Sequence, residues 1–269
     1  MVLAYVGLLV LYAISGQTRG VDVDDSPPAS GVRIDLSPET VDGAAQRLTV
    51  ALDLTPSAEL LDESQLTLER PITVVLDPSA GVRQVTFPSG QIPAVNHVEV
   101  LLDGDIRNWP LDHYRIPLIV GAYEGSPEDG SPLDTIVSVD GRVQGWRITV
   151  DPDENPPGFG FHTFNVDVRR SGDTLAFSGI LLAVLVALPL VAWYVAARTY
   201  WGHREVQPTV LSWMAAMLFA TVPLRNFLPG SPPAGSWVDA VIVLWVIVAL
   251  VGALVVYVMA WWRQSRPLG

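Results

Sequence analysis

Three long apolar segments lie in the C-terminal third of the chain. Residues 175–197 contain no charged side chain, residues 210–228 contain only Arg225, and residues 237–262 contain only Asp239. A helix needs about 20 apolar residues to cross the hydrocarbon core of a bilayer, and helices of soluble proteins rarely stay apolar all round over that length. The pattern predicts three transmembrane helices at residues 174–198, 208–228 and 236–262. A cytoplasmic tail is expected at residues 263–269.

The chain also begins with an apolar segment, which ends at Ser15. As a helix this segment covers roughly 22 Å, less than the ~30 Å thickness of the hydrocarbon core. We expect residues 1–16 to be a transmembrane anchor whose upstream part is missing from the sequence, or alternatively a cleaved signal peptide. Because an anchor and a signal peptide both export the chain on their C-terminal side, the predicted orientation is a large extracytoplasmic domain and a C-terminus in the cytoplasm.

Between the apolar ends, the pattern changes to the period of β-strands. Every second residue from Leu48 to Leu54 is apolar, as in a strand with one buried face. Seven further short apolar runs come after it, and Pro, Gly, Asp and Ser separate them. The pattern predicts an antiparallel all-β sandwich of roughly eight strands over residues 32–170, after a flexible spacer at residues 17–31. The seven further runs are residues 72–76, 82–87, 98–102, 116–123, 135–139, 143–150 and 162–168.

The charge of the chain is concentrated in the predicted β domain. The whole chain has a net charge of −12, whereas residues 18–173 contain 26 acidic residues and 11 arginines, a net charge of −15. A strongly acidic domain argues against binding to nucleic acid and to anionic lipid head groups. The chain contains no cysteine, which excludes disulfides and thiolate chemistry.

Catalytic and metal-binding motifs are sparse in this sequence. There is no G-x-S-x-G motif, and the four histidines are scattered. The sequence Asp151-x-Asp153-x-Asn155 resembles the start of a calcium loop, but Pro156 occupies the position where glycine makes the turn. We therefore interpret this segment as a solvated acidic loop, and the sequence predicts no catalytic residue, no metal site and no cofactor.

Arg225 and Asp239 are the two ionisable residues inside the apolar segments. Both lie about one helical turn from the same predicted membrane interface. An ion pair between them would lower the cost of placing both charges there and would tie the second and third C-terminal helices together. A proton or ion relay is the alternative, for which Ser212 and Thr221 are the best deeper polar candidates.

Two sequence elements are distinctive. One is Trp109-Pro110-Leu111-Asp112-His113-Tyr114, and the other is a Pro/Gly-rich hairpin around Arg225. Together they resemble a known family, the actinobacterial membrane proteins described as domain of unknown function 4436. The resemblance extends over most of the chain and implies an envelope protein of the same layout with no assigned activity. The hairpin consists of Pro223, Arg225, Asn226, Pro229, Gly230, Pro232, Pro233, Gly235, Asp239 and Trp245. Structural or interaction candidates are Arg225, Asn226, Asp239, Trp109, Pro110, Asp112 and Tyr114.

The Trp109–Tyr114 element is also similar to a Pro-x-Asp turn of pentameric ligand-gated channel domains. Those proteins carry four helices after the sandwich and none before it, so the layout here differs. The favoured hypothesis is a non-enzymatic, multi-pass plasma-membrane protein whose outer β domain binds a partner protein, lipid or glycan. The alternatives are a transporter or channel subunit, and an enzyme of the cell envelope that uses Asp112 or His113. Expected partners are the lipid bilayer and envelope proteins or lipids, not nucleic acid, and the oligomeric state is left open.

Overall fold

The computed structural model of this protein describes residues 28–78, 81–153, 158–230, 232 and 234–265. They divide into two compact units. The β unit contains the described residues up to Asp105 and Leu111–Asp173; the helical unit contains Ile106–Pro110 and the described residues from Thr174 onward. The predicted anchor or signal peptide at residues 1–16, and most of the predicted spacer, lie outside the described residues.

The β unit contains two sheets. One has the strand order β5-β2-β1-β9, and the other has the order β10-β11-β7-β3-β4, with β6 and β8 also paired to β7. The strands are β1 (Val32–Asp42), β2 (Arg47–Pro56), β3 (Ile72–Pro78), β4 (Arg83–Phe87), β5 (Asn96–Leu101), β6 (Asp103–Gly104), β7 (His113–Glu124), β8 (Ser131–Pro132), β9 (Thr135–Val139), β10 (Trp146–Pro152) and β11 (Phe161–Arg170).

Alternating apolar residues of both sheets form one shared core. In the four-stranded sheet, Ile34 pairs with Leu54 and Leu36 pairs with Leu52, and all four side chains are buried. Successive side chains of a strand point to opposite faces, so the residues between these four point away from the core. The same alternation in the seven-stranded sheet completes a sandwich-like arrangement, which confirms the predicted fold of this part of the chain.

The prediction of a wholly antiparallel sheet arrangement was wrong at one pair of strands. β1 and β9 run parallel, with Val32 opposite Thr135 and Leu36 opposite Val139. Each of the eight predicted runs overlaps a strand of the structure, whereas β1 and the two-residue strands β6 and β8 were not predicted. Parallel pairing needs a long crossover connection, and here most of the β unit lies between the two strands, so local patterning could not reveal the pair.

The helical unit contains α1 (Gly172–Tyr200), α2 (Pro208–Asn226) and α3 (Leu244–Gln264). A π-helical turn, Asp239–Val243, leads directly into α3. Among the described residues, two helices are long and apolar enough to cross a membrane, namely Gly172–Tyr200 and Asp239–Gln264. α2 does not meet this criterion, because polar residues are spread along its 19 residues. Of the four predicted transmembrane helices, two are thus candidate spans among the described residues, and the N-terminal one lies outside those residues.

Candidate functional site

A buried ion pair joins Asp112 and Arg170 in the β unit. Arg170 Nη2 donates to Asp112 Oδ2 over 2.9 Å, and Arg170 Nε lies 3.0 Å from Oδ1. The Asp112 side chain is 0% exposed and that of Arg170 is 5% exposed. The guanidinium also lies 3.9 Å from the centre of the Trp146 ring, a distance that favours a cation–π interaction. Both charges are therefore compensated inside the protein.

Tyr114 completes this buried cluster. Its hydroxyl oxygen lies 3.1 Å from Asp112 Oδ2 and 3.1 Å from the carbonyl oxygen of Gly43. The Tyr114 ring meets Trp146 edge to face, with 5.8 Å between the ring centres. Burial, followed by the charge of Asp112, raises the pKa of Tyr114. The hydroxyl therefore remains a hydrogen-bond donor at physiological pH, and the cluster fixes the start of β7 against the end of β11.

Trp109 and Pro110 belong to the helical unit instead. The Trp109 side chain is fully buried, and its Nε1 donates to the carbonyl oxygen of Pro229 over 2.9 Å. It packs with Leu228 and Val238. The peptide bond between Trp109 and Pro110 is cis. The single sequence element Trp109–Tyr114 thus contributes side chains to two different units.

The ion pair predicted between Arg225 and Asp239 is present. Arg225 Nε donates to Asp239 Oδ1 over 3.0 Å, and Arg225 Nη2 donates to Oδ2 over 2.8 Å. Arg225 Nη2 also donates to the carbonyl oxygen of Pro232, and the backbone N–H of Gly235 donates to Asp239 Oδ2. These bonds tie the last turn of α2 to the turn that begins the third helix. Asn226 is exposed at the end of α2, and its role stays a prediction.

A second charged cluster surrounds Asp167 on the outer face of the seven-stranded sheet. His113 Nε2 lies 2.8 Å from Asp167 Oδ2, Arg169 Nε lies 2.7 Å from Oδ1, and Arg115 Nε lies 3.4 Å from Oδ2. Burial alone would raise the pKa of Asp167, but the hydrogen bonds and positive charge of Arg169 and His113 outweigh it and lower the pKa to about 2. The three basic side chains thus surround one carboxylate on this face of the sheet.

The Asp167 cluster makes the stability of the β unit dependent on pH. The pKa of Asp167 is lower in the folded protein than in the unfolded chain, so its stabilisation is complete above about pH 4 and is lost as the pH falls toward 2. Between pH 5 and pH 2, we expect the free energy of unfolding to fall by about 1 kcal/mol more in the wild type than in Asp167→Asn. Urea unfolding at a series of pH values measures this, with the exposed Glu63→Gln as control. Parallel pH profiles for wild type and Asp167→Asn would show that the cluster does not stabilise the fold.

A groove of about 470 Å³ lies on the outer face of the same sheet. It is mainly apolar, and among the described residues Asp77 is the one charged side chain in its lining. Tyr123 and Phe161 meet edge to face, with 5.5 Å between the ring centres. A Cβ at residue 121 would collide with the Phe161 ring, so Gly121 lets this ring lie against the sheet. The lining residues are Val75, Asp77, Ile119, Tyr123, Pro132, Gly158, Phe159 and Phe161.

Two features make this groove suitable for a ligand. Phe159 is 72% exposed, although it is a large aromatic side chain. The Asp77 side chain is half-buried and, within the described ranges, forms no hydrogen bond or ion pair. Exposed aromatic surface is unfavourable in water, and a ligand with an apolar body and a positive charge would cover the ring and meet the carboxylate.

Sequence reasoning missed Arg170, Trp146 and the whole groove. From the sequence, Arg170 is only a charge beside a predicted helix, and its partner Asp112 lies 58 positions away. The groove residues come from four strands and a loop, so no local pattern connects them. In the described ranges, no group of three or more His, Cys, Asp or Glu side chains could hold a metal ion. Asn155, from the calcium-like sequence, lies outside those ranges.

The fold and these sites define a class of two-unit proteins in which a sandwich-like β unit precedes helices long and apolar enough to cross a membrane. Within this class, the chain belongs to the family described as Domain of unknown function (DUF4436), whose profile matches residues 22–169. A second profile, Domain of unknown function (DUF8686), matches residues 170–264. No curated protein matches this chain.

The two profiles correct the extent of the expected resemblance. The Trp109–Tyr114 element lies in the first matched segment, but the Pro/Gly-rich hairpin lies in the second. The boundary at residues 169 and 170 coincides with the end of β11, directly before α1. The β unit and the helices after it are therefore described by separate families.

Proposed function

We propose that this protein is an integral, multi-pass protein of the plasma membrane whose extracytoplasmic β unit binds a ligand and whose helices anchor it, with the C-terminus in the cytoplasm. The helices carry apolar surface that water would not favour. Leu190 is 65% exposed, Phe219 is 78% exposed and Trp245 is 64% exposed. Exposed apolar surface spread over three helices of one unit supports immersion in lipid.

The observation that carries the binding function is Asp77, an unpartnered carboxylate inside an aromatic groove, as far as the described residues extend. The groove is within the usual size range of small-molecule sites, about 300–1,000 Å³. Aromatic faces attract organic cations, and a carboxylate in a partly desolvated groove attracts them further. The sequence led us to expect a protein, lipid or glycan as the partner of the β unit. The groove favours a different ligand, a small organic cation with an apolar body.

Direct binding to the purified full chain in detergent tests this function. We expect benzyltrimethylammonium to bind, as measured by isothermal titration calorimetry, and the uncharged benzyl alcohol and the anion phenylacetate to bind much more weakly. Asp77→Asn removes the charge at nearly constant shape, and we expect it to weaken binding of the cation about fivefold. Phe159→Ala removes exposed ring surface and is expected to weaken it about threefold without unfolding the protein.

Matched control variants lie elsewhere on the β unit. Glu63→Gln removes another exposed carboxylate, and Leu66→Ala removes another exposed apolar side chain. Neither should change the affinity for the cation. Equal affinity for benzyl alcohol and benzyltrimethylammonium would contradict a cation site. Equal loss of affinity for the cation in the control variants and in Asp77→Asn would show that the groove is not the binding site.

A transport or channel subunit is the second candidate function. The backbone passes between the two units three times, after Asp105, after Pro110 and after Asp173. The ion pair of Asp112 with Arg170 joins residues close to the last two of these passages, and this position is the observation that favours a role in coupling the units. Flux of ions through liposomes that contain the full chain, altered by Arg225→Ala, would support this function. Liposomes that stay impermeable to ions would contradict the transport or channel function.

A further inference from the structure

A second, smaller groove lies in the helical unit, between the start of α2 and the end of α3. Its volume is about 160 Å³. One wall comes from the first turns of α2 and the residues just before it, and the other from the last turns of α3. The lining residues are Val206, Pro208, Leu211, Tyr257, Val258 and Trp261.

The start of a helix normally exposes free backbone N–H groups, but here side chains of α3 bind the N–H groups of the two residues just before α2. The Gln207 N–H donates to the Tyr257 hydroxyl, which in turn donates to the Gln207 carbonyl, both over 2.9 Å. The Val206 N–H donates to Gln264 Oε1 over 3.0 Å, and Pro208 has no N–H. The groove therefore presents mainly carbon atoms to a ligand.

Positive charge gathers at the same end of the helical unit. Gln264 Nε2 lies 3.2 Å from the carbonyl oxygens of Thr199 and Arg204, which brings the α1–α2 connection to the end of α3. Arg263 lies over the Tyr200 ring at 4.5 Å. Three arginines, Arg198, Arg204 and Arg263, thus lie close to this end of the unit, against the single acidic Glu205.

Aromatic residues mark this end as a membrane interface. Trp201, Trp261 and Trp262 are exposed around it, and tryptophan prefers the head-group layer of a bilayer. An apolar groove at that depth meets acyl chains, and the arginines beside it meet head groups. These surroundings favour an amphiphile with a negative head.

We propose that this groove binds an anionic phospholipid, with an acyl chain against Leu211 and Trp261 and the phosphate near Arg204 and Arg263. This site rests on the membrane-bound state in the proposed function. It is independent of the groove in the β unit, and it does not conflict with the acidic character of that unit, because the arginines belong to the other unit.

Lipid retention tests the site. The purified full chain is incorporated into vesicles of equal parts dioleoylphosphatidylglycerol and dioleoylphosphatidylcholine and then re-extracted in mild detergent, and native mass spectrometry measures the bound lipids. We expect about fivefold enrichment of phosphatidylglycerol. The double variant Arg204→Gln with Arg263→Gln should abolish the enrichment, and the control Arg142→Gln in the β unit should retain it.

A groove-filling variant separates a built site from plain charge attraction. Leu211→Trp keeps every charge but occupies the groove, and we expect it to lower the retained phosphatidylglycerol about threefold. Glycerol 3-phosphate, which has the head group without acyl chains, should not compete. Equal retention of both lipids, or unchanged retention in Leu211→Trp, would overturn the proposal.

The outcomes also separate this site from the proposed function. If alkaline carbonate releases the protein from membranes, the anchoring function fails before any lipid is measured. If the protein resists carbonate but shows no preference for phosphatidylglycerol, only the lipid site fails.

Discussion

Replacing Asp112 by alanine is expected to lower the free energy of unfolding of the β unit by about 3–5 kcal/mol. The reason is that the substitution leaves the Arg170 guanidinium buried without a counter-charge. Arg170 cannot lose its proton to escape this cost, since the guanidinium stays charged at any relevant pH. Tyr114 would lose a hydrogen-bond acceptor in the same step. Urea unfolding followed by tryptophan fluorescence measures the change, because Trp146 lies against Arg170.

A double variant distinguishes an unpaired charge from a packing defect. Asp112→Leu combined with Arg170→Met replaces both charges by apolar groups, and we expect it to be much less destabilised than Asp112→Ala alone. Arg115→Ala provides the matched control, because this arginine is mostly exposed and contacts Asp167 only at 3.4 Å. If Asp112→Ala loses no more stability than this control, the ion pair does not hold the β unit together.

Replacing Trp109 by alanine is expected to destabilise the helical unit by about 3–5 kcal/mol. The fully buried indole fills the space between Leu228 and Val238, and its removal leaves a cavity that the connection between α2 and α3 cannot easily close. Trp109→Phe keeps most of the ring but loses the hydrogen bond to Pro229, so we expect a loss of only about 1 kcal/mol. Thermal unfolding in detergent, followed by helical circular dichroism, ranks the two variants.

Trp201 offers a control for Trp109. It is also a tryptophan of the helical unit, but it is 68% exposed, so Trp201→Ala should change the stability little. Equal effects of the two alanine substitutions would mean that the hydrogen bond and packing of Trp109 do not stabilise the helices. That result would also weaken the assignment of Ile106–Pro110 to the helical unit.

The ion pair of Arg225 with Asp239 shows how a short sequence separation makes a contact predictable. The two residues lie 14 positions apart, at the ends of two apolar segments joined by a short connection. A charge inside such a segment needs an opposite charge as its partner. Asp239 is the one acidic residue in the neighbouring apolar segment. Asp112 and Arg170 form an equally direct pair, but 58 positions and several strands separate them. The sequence around Asp112 identified a candidate without its partner.

By itself, the sequence determined the order of the β and helical parts, the positions of eight of the eleven described strands within a few residues, and the pair at Arg225. These properties are local, because hydrophobic period and segment length act on neighbouring residues. Only the tertiary structure decided the parallel pairing of β1 with β9, the partner of Asp112, the membership of Trp109 in the helical unit and the aromatic groove around Asp77. Each of these depends on chain segments far apart in sequence meeting in one place, and which segments meet is settled by packing of the whole core rather than by any single run of residues.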